Sequence, residues 1–89
     1  MGSFRVAFKP SVEKDLRALP QPLVRRVMKR IEDLAENPLP HGSVKLSSAE
    51  RLYRIRAGDY RIVYEVDFEA KTVTVHYVRH RRDVYRGIS

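Results

Sequence analysis

Three arginines, Arg54, Arg56 and Arg61, and the run Arg79-His80-Arg81-Arg82-Asp83-Val84-Tyr85-Arg86 are the side chains of this sequence best suited to chemistry. A guanidinium is planar, forked and permanently charged, so several converging on one point can hold a phosphate and stabilise negative charge developing on it. The run adds a titratable imidazole and a phenol that can stack on a base or move a proton. A basic tail with only non-specific affinity for nucleic acid would have the same composition. His41, His76 and His80 lack metal-ligand spacing, no carboxylate cluster suits magnesium, and no Gly-rich loop resembles a nucleotide cradle, so neither metal nor cofactor is expected. What remains is metal-free phosphoryl chemistry. On RNA this is attack by a 2′-OH on its own phosphate, which needs a base, an acid and surrounding positive charge.

The elements that must position these groups follow from periodicity. Phe4, Val6 and Phe8 alternate with Arg5 and Ala7, predicting a half-buried strand over about 4–8 closed by Pro10. Ser11 suits an N-cap, and Val12, Leu16 and Leu19 predict a short helix ended by Pro20. Gln21-Pro22 starts a second helix, whose apolar stripe is Leu23, Val27, Ile31 and Leu34 and whose stop is Asn37-Pro38. Arg25, Arg26, Lys29 and Arg30 lie off the stripe and read as a solvated face. Residues 37–50, rich in Pro and Ser, read as a loop. From Arg51 the period changes to alternation, RLYRIR, YRIVYEV and TVTVHYV, which predicts a three-stranded antiparallel meander. His76 reads as a core or edge residue. The expected fold is a small α+β single domain, residues 1–89, with an N-terminal strand, a two-helix hairpin, the meander and a short basic C-terminal segment.

The hairpin fixes its own register. Gly58-Asp59 suits a two-residue loop, because Gly accepts the positive φ such turns need. Ala57 then faces Tyr60, Arg56 faces Arg61, Ile55 faces Ile62, Arg54 faces Val63, Tyr53 faces Tyr64 and Leu52 faces Glu65. One face is apolar, and the other gathers Arg54, Arg56 and Arg61. Like charges directly opposed destabilise a hairpin, so this arrangement points to an anion site. Glu65 shares that face, but one carboxylate does not cancel three cations.

Composition sets the frame. Across 89 residues, 18 Lys+Arg against 11 Asp+Glu give +7, and 13 of the 18 are Arg, which favours a polyanionic partner; an acidic protein partner satisfies the same charge. The chain has no Cys, hence no disulfide staple and no thiolate chemistry, and it carries no run long enough to span a membrane. A cytoplasmic setting is expected.

The strings LYRIRAGDYRIVYEVD and VRHRRDVYR, with the Lys45-Leu46 pair before the meander, resemble the RelE/ParE superfamily of toxin–antitoxin toxins. For the RelE branch the resemblance implies a fold akin to microbial ribonucleases and an endoribonuclease that cleaves mRNA in the ribosomal A site, leaving a 2′,3′-cyclic phosphate. It implies catalytic roles for Arg54, Arg56, Arg61, Arg81 and Tyr85; Lys45, Arg79, His80, Arg82 and Arg86 are expected to contact RNA or phosphate. Well-known RelE toxins carry Lys where this chain has Arg54 and Arg56. Arginine, with a pKa above ~12, is a poor proton carrier, which leaves His80 and Tyr85 as candidates for proton transfer. The implied partners are a RelB-like antitoxin that neutralises the basic chain in a hetero-oligomer, the ribosome and mRNA; the free toxin is expected to be a monomer. The ParE branch shares these strings and implies instead an inhibitor of DNA gyrase without nuclease activity.

Overall fold

A computed structural model describes residues 3–46 and 51–82. The elements are β1 (Arg5–Phe8), α1 (Pro10–Arg17), α2 (Gln21–Glu36), β2 (Val44–Lys45), β3 (Leu52–Ala57), β4 (Tyr60–Asp67) and β5 (Thr72–His80). The α+β order is as expected, with two additions. The sheet is five-stranded and mixed, in the order β1-β5-β4-β3-β2, because the first strand pairs parallel with β5 and a two-residue strand in the expected loop pairs antiparallel with β3. Parallel pairing of β1 requires a crossover connection, and the two helices supply it.

Both helices carry proline in the first turn, Pro10 as the first residue of α1 and Pro22 as the second of α2, where its fixed φ and missing N–H are tolerated. Lys9, not Ser11, is the N-cap of α1. The Ser11 hydroxyl instead donates to the His76 carbonyl at 2.9 Å, and Asp15 Oδ2 accepts the Val78 N–H at 3.0 Å, so α1 is pinned along β5. Val12, Val27, Ile31 and Leu34 from the helices meet Ile55, Ala57, Ile62, Tyr64, Val66, Val73, Val75 and Val78 from the sheet in one core. Each fully buried aliphatic side chain there stabilises by about 1.5–3 kcal/mol. Tyr64 lies within this core. Its hydroxyl donates to the Pro38 carbonyl at 2.7 Å, its ring stacks on Tyr53, and burial pushes its phenol well above the ordinary range.

Among the described residues the helices cover one face of the sheet and leave the other open. Among the described residues no helix is long and apolar enough to cross a membrane.

Candidate nucleic-acid interface

The β3–β4 register is the expected one throughout: Arg56 faces Arg61, Ile55 faces Ile62, Arg54 faces Val63 and Leu52 faces Glu65. Gly58 in the turn has φ +62, the left-handed conformation that favours glycine. Arg54, Arg56 and Arg61 therefore share the open face. β5 extends the cluster, because Arg79 stands opposite Arg61. Arg56, Arg61 and Arg79 form a row across three adjacent strands, spaced by the ~4.8 Å between neighbours.

Arg79 owes its place to an irregularity in β5. Val63 faces Tyr77 but the next residue, Tyr64, faces Val75, so His76 is an extra residue in the ladder. Strict alternation from Val73 and Val75 would turn residues 77 and 79 into the core. The bulge resets the phase: Val78 is buried and Arg79 is on the open face, its guanidinium 4.4 Å from the Tyr77 ring centroid. Bulges re-aim side chains in this way. Beyond the strand, the Arg81 N–H donates to the Asp59 carbonyl at 2.8 Å, which fixes the Arg81 backbone beside the hairpin turn.

The same hairpin end collects cations from α2. Arg30 Nε donates to the Arg56 carbonyl at 3.0 Å, and a side chain on Gly58 would meet the Arg26 guanidinium at 3.1 Å. Arg26 and Arg30 thus belong to the hairpin end, whereas Lys29 pairs with Asp33 on the solvated side. Arg61 Nη1 lies 3.2 Å from the Gly58 carbonyl and 3.3 Å from that of Tyr60, to which it donates. This dense positive potential suits a polyanion.

Residues 6–85 match the family model described as the ParE toxin of type II toxin–antitoxin system, parDE. The chain belongs to this toxin family. Toxin RelG of Mycobacterium tuberculosis is 32% identical over 84 residues, covering 93% of this chain and 97% of that protein. A chain of the archaeal RelE–RelB complex from Pyrococcus horikoshii superposes with a TM-score of 0.77 at 28% identity, covering 89% of this chain and 96% of the other. The RelBE2 toxin–antitoxin complex of Mycobacterium tuberculosis gives a TM-score of 0.77 at 30% identity over 89% of this chain and 99% of its counterpart. Within the ParE toxin family this chain is thus a RelE-like type II toxin, the component of a toxin–antitoxin system.

The remaining expected site residues of this RelE-like toxin are distributed as follows. Arg82 is exposed two residues beyond β5, and its N–H donates to His80 Nδ1 at 3.2 Å. His80 is on the helix side, edge-on to Tyr60 at 5.4 Å between ring centroids, and so is not part of the arginine face. Lys45 faces Tyr53 in the ladder, which also puts it on the helix side. Tyr85 and Arg86 lie outside the described residues. His76 is neither core nor edge: β5 is flanked by β1 and β4, and His76 Nε2 lies 3.1 Å from Glu65 Oε1 on the open face. The signal for this was adjacency, since His76-Tyr77 interrupts the alternation of valines in TVTVHYV.

Proposed function

We propose that this toxin is a ribosome-dependent mRNA endoribonuclease that works without a metal. The observation carrying this reading is the row Arg56, Arg61 and Arg79, three like charges directly opposed across adjacent strands, an arrangement that folding disfavours and a bound phosphate rewards. In the reaction the 2′-oxygen attacks the adjacent phosphorus, a 2′,3′-cyclic phosphate forms, and the bond to the 5′-oxygen breaks. The 2′-proton goes to a base, and the departing 5′-oxygen receives a proton. Arg61 and Arg81 hold the scissile phosphate and the charge that builds on its non-bridging oxygens. Arg54 and Arg56 bind phosphate, and Arg79 and Arg82 extend that contact along the strand. The position of His80 on the helix side favours Tyr85 as the group that stacks on a base or transfers a proton.

A RelB-like antitoxin is the proposed partner, as in the RelE–RelB complexes that this chain resembles. It masks the arginine face. If an Arg54/Arg56/Arg61 triple-alanine variant bound the cognate antitoxin as tightly as the parent, that masking would be wrong.

The test of activity is purified toxin with programmed ribosomes, cleavage being mapped by primer extension and gyrase supercoiling assayed in parallel. Cleavage in the A-site codon that disappears in Arg61→Ala and Arg81→Ala is the expected result. Intact mRNA with inhibited gyrase overturns it in favour of the second reading, a gyrase inhibitor, to which the match to the ParE family model lends weight.

A further inference from the structure

Beyond the arginine row the open face carries polar groups that phosphate binding does not use. Glu65 on β4 and His76 on β5 are joined at 3.1 Å, with Tyr77 beside them, its ring centroid 6.2 Å from that of His76. Glu65 follows Arg61 by four residues on the same strand and the same face, a separation of about 13 Å at ~3.3 Å per residue. That is too far to serve the phosphate held by Arg61. It is within the span of a short stretch of RNA running along the face.

We propose that Glu65, His76 and Tyr77 form a subsite that reads the Watson–Crick edge of a guanine in the bound RNA, an inference that rests on the nuclease reading above. A carboxylate repels phosphate, so on a cationic face its use is to accept hydrogen bonds from a base. Guanine presents two adjacent donors, N1–H and the 2-amino group, which match the two oxygens of one carboxylate. Adenine and cytosine place an acceptor beside their amino group and would set it against the second oxygen; uracil offers a single N–H. An ionised carboxylate has about four lone-pair positions, so the contact from His76 to Oε1 orients the group and leaves acceptors on both oxygens. The Glu65 side chain is 43% exposed and that of His76 22%, so the carboxylate is reachable and its imidazole support is held in place. The Ser11 hydroxyl bonded to the His76 carbonyl fixes the bulge from behind, and Tyr77, with the Arg79 guanidinium over its ring, gives the base a flat wall.

The test is an NMR titration of the full chain with the 2′-O-methyl trinucleotides UGU, UAU, UCU and UIU, which cannot undergo 2′-OH attack. Inosine keeps N1–H and lacks the 2-amino group. The expected result is binding of UGU about tenfold tighter than of the others, with amide shifts at Glu65 and His76. In Glu65→Gln that preference shrinks below twofold, with Glu65→Ala as a second variant and the spectra themselves reporting the fold. Arg61→Ala weakens all four probes alike. Equal binding of the four by the parent, a guanine preference that survives in both Glu65 variants, or no binding of any probe overturns the subsite. Absence of cleavage on ribosomes alongside a Glu65-dependent guanine preference removes the nuclease reading and leaves the subsite standing.

Discussion

Arg56 of β3 and Arg61 of β4 stand directly opposite one another in the hairpin ladder, with Arg79 of β5 on the far side of Arg61. Opposed like charges destabilise a strand pair by a few tenths to about 1 kcal/mol relative to neutral pairs. Stability and anion binding therefore conflict at these positions.

Arg56→Thr separates the two effects. The β-branched residue removes the repulsion and suits a strand, so urea unfolding is expected to show a gain of about 0.5 kcal/mol. Cleavage on programmed ribosomes is expected to fall about 10²-fold. A variant that lost both stability and activity would count against charge conflict at this site.

Two neighbours on β5 are expected to behave oppositely. Arg79→Ala weakens binding to single-stranded RNA and reduces the slope of log K against log salt by about 0.7, the loss of one phosphate contact. His80→Ala leaves affinity and slope unchanged but lowers stability by about 0.5–1.5 kcal/mol, since it loses the edge-on contact with Tyr60. Equal effects on the salt slope would contradict the phase set by the bulge.

Tyr64→Phe deletes the hydroxyl that bonds the Pro38 carbonyl inside the core, with an expected loss of about 1–2 kcal/mol at neutral pH. Burial raises the phenol pKa in the folded protein, so its proton is held more tightly there than in the unfolded chain. The contribution of Tyr64 is complete below the ordinary tyrosine pKa of about 10 and declines as pH rises beyond it. The stability difference between parent and variant, followed by denaturant unfolding, is expected to shrink above that pH.

Asp67 governs the β4–β5 turn. Its Oδ1 accepts the Ala70 N–H at 2.9 Å and the Glu69 N–H at 3.0 Å, with Arg51 Nη1 at 3.4 Å. The bond from Ala70, helped by the Arg51 charge, holds the carboxyl below its ordinary value. A depressed carboxylate pKa stabilises above the unfolded value of about 3.9 and ceases to do so as pH falls through the folded value. Asp67→Asn is expected to lower the Tm at pH 7, with the difference disappearing in strong acid. A difference that persisted at low pH would assign the effect to shape and not to charge.

The hairpin and the helices were legible because their determinants are local. A Gly-Asp turn between two alternating strands leaves one register that sorts Ile55 and Ile62 from Arg56 and Arg61, and the stripe of Val27, Ile31 and Leu34 names its own buried face. The side chosen by Arg79, His80 and His76 was not legible, since it depends on where β5 inserts its extra residue. That position is settled by packing: Val73, Val75 and Val78 all reach the core under helices from the other end of the chain. Tertiary structure also decided that β1 lies parallel to β5, a pairing between segments more than 60 residues apart. Sequence by itself thus determined a cationic hairpin face on an α+β toxin. Only the folded sheet, by one bulge forced by the core, added Arg79 to that face, removed His80 from it and set Glu65 beside His76.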